Sequence, residues 1–175
     1  MSVKRPSDSL TTMTQLVMPN DTNILGKLFG GQLLHWMDVV GALAASKHCR
    51  HVAVTAAANN ISFKEPIELG ETVTLVAKVV RSFNTSMEVY IEVFAEKLTE
   101  GISRKCNDAY FTYVALDDNK RPTKVPDLQP LTSDEQELFD KSLIRKQLKL
   151  LMAKKIKLSQ APELQQQIKK WETEV

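Results

Sequence analysis

Asp38 is the residue whose setting asks most for an explanation. It stands in the middle of an apolar run, between Trp36-Met37 and Val39-Val40. A carboxylate without a partner is costly to bury there. Such a group finds a partner, titrates upward or does chemistry. A satisfied structural aspartate at the helix edge, facing a solvated cleft, is the simpler account of position alone. Gly30 and Gly31 lie just before the same run. Backbone N–H groups at a helix start have no intrahelical acceptor, and such donors can hold an oxyanion. Glycine lets a ligand approach the backbone closely. Gly31 and Asp38 are two turns apart, about 10 Å along a helix axis and on one face. Asn23 precedes them in a turn-rich segment. Its amide can orient a water or donate to a carbonyl, though an asparagine there also reads as a turn former.

Three histidines complete the inventory. His35 is one turn before Asp38, which would suit a proton relay or an interface. His48 and His51 flank Cys49 at the end of the run, where capping is a simpler reading than a metal site. No phosphate-cradling or dinucleotide glycine motif and no Gly-x-Ser-x-Gly elbow occurs.

These residues need a scaffold. Gln32–Ser46 reads as a helix that is apolar around nearly its full circumference, and such a helix is a buried one. Extended segments follow at Val52–Phe63, Thr72–Arg81, Ser86–Lys97 and Ser103–Leu116, with a further strand near Thr14–Val17. Period-two alternation, as in Met87, Val89, Ile91, Val93 and Ala95 against Glu88, Glu92 and Glu96, marks half-buried antiparallel strands. Residues 82–85 and 99–101 are short enough for hairpin loops. One buried helix ahead of a strand meander must be wrapped by the sheet or shared with a partner, an α+β arrangement. Residues 1–12 read as a flexible arm. Past the polar stretch 117–130, Ser133 is expected to cap a helix with Gln136 as its box partner, and Pro162 to open a short last one.

The chain has 175 residues, about one domain's worth. Its net charge is +2, too little to suggest nucleic acid as a partner. Residues 1–130 hold 14 basic and 14 acidic side chains, so the excess lies in the last 45 residues. Two separated cysteines fit a reducing, cytoplasmic setting. No apolar run is long enough for a stable membrane anchor.

The string MPNDTNILGKLFGGQLLHWMD, followed by VTAAANNISFKEPIELGETV, resembles the hotdog acyl-CoA thioesterases, in particular the acyl-CoA hydrolase branch that holds the bacterial short- and medium-chain and the brain-type enzymes. The resemblance covers roughly residues 10–125. It rests on the N-x-x-G-x-x-x-G-G loop, the helix aspartate and the F-x-x-P-I-x-x-G-(D/E) segment in that order. It implies a hotdog domain over residues 13–125, with a long helix wrapped by an antiparallel sheet, and leaves 131–175 as a helical C-terminal extension. It implies hydrolysis of acyl-CoA without metal or cofactor, coenzyme A being part of the substrate. By the same resemblance Asp38 is the catalytic aspartate, as general base on a water or, alternatively, as nucleophile; Asn23 acts with Asp38 of the partner protomer, and Gly31 with Gly30 polarises the thioester carbonyl. Phe63 would line the acyl pocket. Arg81, Asn84, Thr85 and Ser86 would handle the CoA phosphates and pantetheine. A homodimer is the implied minimum unit, assembled as a trimer of dimers. The alternatives are a hotdog dehydratase or hydratase that drafts His35, and a non-catalytic acyl-CoA sensor.

Overall fold

The structure, a computed structural model, describes residues 3–59, 61–63 and 65–173. The chain divides into two compact units, residues 1–129 and 130–175.

In the first unit the order is β1 (Thr11–Leu16), α1 (Gly30–Cys49), β2 (Val52–Asn59), β3 (Thr72–Ser82), β4 (Ser86–Lys97) and β5 (Ile102–Leu116). The strands form one antiparallel sheet in the order β1-β3-β4-β5-β2, with β1 and β2 at its edges. The alternation read in β3 and β4 buries the expected apolar set, Val73, Leu75, Ala77 and Val79 with Val89, Ile91 and Val93, but Glu88 on the opposite face of β4 is buried as well. All five strands pack on α1, which buries Trp36, Met37, Val40, Ala44 and Ala45 against them. This is the α+β hotdog arrangement, a long helix wrapped by a curled antiparallel sheet.

Several expectations need correction. The helix is longer than its apolar run, from Gly30 to Cys49, and ends where Arg50 takes a left-handed φ of 60°. It is also not buried all round. Val39 and Leu43 are 36% and 51% exposed, on the side of α1 that carries His35 and Asp38. The second strand is described over Val52–Asn59, and Ile61–Phe63 are irregular. Residues 4–10, read as part of a flexible arm, are held by contacts to the rest of the unit. A single 3-10 turn at Pro6–Ser9 buries the Ser9 hydroxyl, which accepts from the Val79 N–H at 2.8 Å. The Lys4 ammonium donates to the carbonyls of Lys47 and His48, satisfying acceptors that a helix end leaves open.

The second unit holds α2 (Ser133–Met152) and α3 (Pro162–Thr173). The cap of α2 is shifted one residue from expectation. Thr132 accepts from the Glu135 N–H at 3.2 Å, and the Glu135 carboxylate reaches back to the Thr132 N–H. Pro162 opens α3 as expected, and the buried Gln147 side chain accepts from the Leu164 N–H at 2.9 Å, capping α3 from α2. No helix among the described residues is long and apolar enough to cross a membrane.

Candidate active site

The site is built from the start of α1 and the loop before it. Thr22 and Leu28 pair as an antiparallel bridge, closing a tight loop around Asn23–Lys27. Gly26 sits at φ 68°, a left-handed conformation that glycine adopts freely. Asn23 Oδ1 accepts from the N–H groups of Leu25 (2.9 Å) and Lys27 (3.2 Å). Its carbonyl side thus holds the loop, and among the described residues its Nδ2 donors are uncommitted. Ile24 and Leu25 project from the tip, almost wholly exposed.

Phe29 then caps α1, and the first intrahelical bond runs from the Leu33 N–H to the Phe29 carbonyl. The N–H groups of Gly30, Gly31 and Gln32 precede that bond and point out of the helix start. The Phe63 ring lies against Gly30, where a Cβ would come within 2.9 Å of Cζ. A Cβ on Gly31 would meet nothing within 4 Å, so that backbone stays open to an incoming group. Asn23, Gly30, Leu33, Phe63 and Ile67 line one cavity of about 390 Å³. Three of the residues singled out in the sequence therefore share a pocket at the N-terminus of α1.

Asp38 is two turns further on and half-buried. Its Oδ1 accepts from the Thr55 hydroxyl at 2.5 Å and from the Tyr113 hydroxyl at 3.3 Å. Tyr113 also reaches the Asp38 backbone carbonyl at 3.0 Å. Thr55 and Tyr113 are register partners on β2 and β5, one step before a bulge that inserts an extra residue into β2. Bulges re-aim side chains and recur beside functional sites. Burial, and then the nearby Asp38 charge, push the Tyr113 phenol well above its usual pKa, so it stays a donor. Both donors meet Oδ1, and among the described residues Oδ2 accepts no hydrogen bond. A carboxylate fixed on one oxygen keeps the other as a free acceptor for a hydrogen bond or a proton.

Thr55 and Tyr113 were absent from the sequence-derived set. Thr55 is the one hydroxyl in VAVTAAAN, a weak local signal, and Tyr113 reaches Asp38 from 75 positions away. The proposed His35–Asp38 relay is not formed among the described residues. His48 is buried, with Nε2 2.9 Å from the Pro126 carbonyl, and burial lowers its pKa. The Cys49 thiol donates to the His51 carbonyl, and no metal-holding cluster occurs among the described residues. Arg81, Asn84, Thr85 and Ser86 lie together on the β3–β4 hairpin, with the Arg81 guanidinium 5.6 Å from the Phe83 ring centre. Backbone bonds from Val125 to Asn84 and from Ala115 to Thr85 fix this turn. Its level in the sheet is that of the site, because Ser82, Met87, Tyr113 and Thr55 form one row across β3, β4, β5 and β2.

A curled sheet on a long helix, with a glycine pair at the helix start and a held carboxylate two turns on, defines a hotdog thioesterase domain. Comparison with known proteins narrows this. Residues 25–102 match the Thioesterase superfamily. An uncharacterized acyl-CoA thioester hydrolase of Bacillus subtilis is 35% identical over 79% of this chain and 80% of its own length. A hexameric acyl-CoA thioesterase superposes with a TM-score of 0.84 at 34% identity, covering 87% of this chain and 98% of that one. The acyl-CoA hydrolase of Staphylococcus aureus, solved with butyryl coenzyme A and coenzyme A, gives a TM-score of 0.80 at 29% identity over 87% and 95% of the two chains. The chain belongs to the acyl-CoA thioester hydrolases of the thioesterase superfamily and is a hydrolase.

Proposed function

We propose that this chain hydrolyses the thioester of acyl-CoA to a free fatty acid and coenzyme A, with Asp38 as general base. The observation that carries this is the Asp38 carboxylate, held through Oδ1 and open at Oδ2. Oδ2 takes a proton from a water, whose oxygen attacks the thioester carbonyl carbon. The Gly31 N–H, with Gly30 beside it, stabilises the oxyanion that forms. The C–S bond then breaks as the carbonyl re-forms, and the coenzyme A thiolate recovers the proton from Asp38. The chemistry is acid–base chemistry and calls on no cofactor or metal. Phe63 lines the acyl side of the pocket, and Arg81, Asn84, Thr85 and Ser86 receive the phosphates and pantetheine.

Asn23 acts from a second protomer. Its free amide donors position the water or substrate against Asp38 of the other chain. Edge strand β2 exposes Val52 (68%) and Val54 (41%), and α1 exposes Val39 and Leu43. An apolar edge strand invites pairing with another chain, and an isologous dimer would join two β2 edges into one sheet. The Ile24-Leu25 loop tip would dock in the same interface. Three such dimers would make a hexamer, the state recorded for two of the similar structures. Alanine variants of the Staphylococcus aureus enzyme were solved at an aspartate, an asparagine and a threonine whose mutual spacings equal those of Asp38, Asn23 and Thr55. The proposed setting is a reducing cytoplasm, where the free thiols of Cys49 and Cys106 persist.

The test is thiol release from an acetyl- to palmitoyl-CoA series by wild-type protein and by Asp38→Asn. The Asp38→Asn protein should fold and lose at least about a hundredfold in turnover, the scale of a missing general base. Hydration of an enoyl-CoA without thiol release would mark a dehydratase-type enzyme. Tight acyl-CoA binding without turnover would mark a sensor.

A further inference from the structure

Gly41 lies three residues after Asp38, on the helix face that meets the sheet, and is fully within α1. Glycine in a helix interior is less favourable than alanine, so its presence asks for a reason. A Cβ at Gly41 would stand 2.2 Å from the Tyr113 hydroxyl oxygen and 2.9 Å from the ring Cζ. No side chain fits there while the phenol keeps its place. The gap therefore admits Tyr113, whose ring is completely buried and whose hydroxyl ends on Asp38.

Phenylalanine would fill the same volume, so packing alone does not call for the hydroxyl. A buried hydroxyl needs partners, and this one has two on a single residue. Its single proton is shared between the Asp38 backbone carbonyl, at 3.0 Å, and Oδ1, at 3.3 Å. Backbone and side chain of Asp38 are thus tied to one rigid point on β5. The Thr55 hydroxyl reaches the same oxygen from β2, the edge strand, whereas β5 is paired on both sides. Thr55 makes the shorter contact with Oδ1, and Tyr113 makes its contact from the strand that is paired on both sides.

We propose that Tyr113, admitted by Gly41, is a positioning residue that fixes the Asp38 carboxylate with Oδ2 turned to the reacting water. This rests on the reading of Asp38 as general base. A carboxylate freed to rotate would spend part of its time with neither oxygen in line. Misplacement on the scale of an ångström costs orders of magnitude in rate.

The experiment measures kcat and KM for thiol release with the acyl-CoA that wild type cleaves fastest, in Tyr113→Phe, Gly41→Ala, the double variant and Asp38→Asn, with thermal melts on each. Tyr113→Phe keeps the ring and should fold. Its kcat should fall about tenfold with KM within about twofold, as expected when a transition-state interaction is lost rather than binding. Gly41→Ala should act in the same direction, and the double variant should be no worse than the poorer single one, because both act through one hydroxyl. In the Asp38→Asn background Tyr113→Phe should change nothing. Wild-type kcat in folded Tyr113→Phe overturns the proposal, as does a loss explained entirely by a smaller folded fraction. If Gly41→Ala does not fold, Tyr113→Phe alone decides. Full turnover in Asp38→Asn would sink the general-base reading and this one together. An inactive Asp38→Asn beside a normal Tyr113→Phe would sink only the role of Tyr113.

Discussion

Thr55 and Tyr113 face each other across β2 and β5, and their hydroxyls converge on the same oxygen of Asp38. The bulge after Thr55 lets an edge strand aim a side chain at the helix. The carboxylate is thus oriented by the sheet that wraps it, not by its own helix. Replacing Thr55 with Val keeps the shape and removes the donor. Turnover should fall about tenfold while the far-ultraviolet circular dichroism spectrum is unchanged. Full activity would mean that Thr55 only fills space.

Asn23 holds its loop and, in the proposed mechanism, also serves catalysis, and one substitution can separate the two. Asn23→Asp keeps the oxygens that accept from Leu25 and Lys27 but loses the amide donors. It should keep its melting temperature within a few degrees and lose at least about tenfold in turnover. Mixed with Asp38→Asn under conditions of subunit exchange, it should regain part of the lost activity, because a hybrid dimer holds one intact Asn23–Asp38 pair. Tagged subunits would establish that hybrids formed. Exchange without recovery would argue for a site made within one chain.

The fold was legible because its signals are local and repeated. Five consecutive inward positions of β4 carry the pattern from Met87 to Ala95, and no other secondary structure buries that set. The glycine pair marked the helix start for the same reason. The cap of α2 slipped by one residue because Thr132-Ser133 and Glu135-Gln136 offer two equivalent boxes, and sequence does not choose between them. The surroundings of Asp38 were not legible. They depend on a bulge and on a glycine 72 positions from the tyrosine it admits, and neither leaves a local trace. The exposed stripe at Val39 and Leu43 was missed because a composition that looks buried does not say by which chain.

An ion pair between the half-exposed Arg104 and the buried Glu71 anchors one wall of the pocket. Arg104 on β5 donates to both oxygens of Glu71, at 2.5 and 2.8 Å, and to the Pro66 carbonyl at 2.9 Å. The same Glu71 carboxylate accepts from the Glu68 N–H. The Arg104 guanidinium holds the Glu71 carboxyl below its usual pKa. A depressed carboxylate stabilises the fold fully above its unfolded value of about 4.3 and loses that contribution as pH falls through the folded value. Wild type should therefore lose stability below about pH 4 more steeply than Glu71→Gln, in urea melts followed over pH. At pH 7 Arg104→Gln should cost about 2 kcal/mol, since it leaves a buried charge with fewer donors. Equal slopes would remove the pair from the stability of this loop.

The last 45 residues pose a choice between two partners. Between Lys141 and Lys157 there are seven basic residues and no acidic one. Leu148, Met152, Leu158 and Trp171 are exposed on the same unit, Met152 by 77%. A basic helix with apolar residues can lie on an anionic membrane, or bury its apolar side on a neighbouring protomer and leave its lysines in water. Acidic residues at both ends of the tail, Asp134, Glu135 and Glu137 before the run and Glu163 and Glu172 after it, reduce its attraction to anionic lipid. An enzyme acting on acyl-CoA in solution gains little from a fixed anchor. Packing on a neighbour is therefore the expected outcome. Deleting residues 131–175 should lower the melting temperature or shift the particle to a smaller species in light scattering, while thiol release per folded active site remains. Unchanged size and melting point, with vesicle binding confined to the full-length chain, would assign the tail to membranes instead.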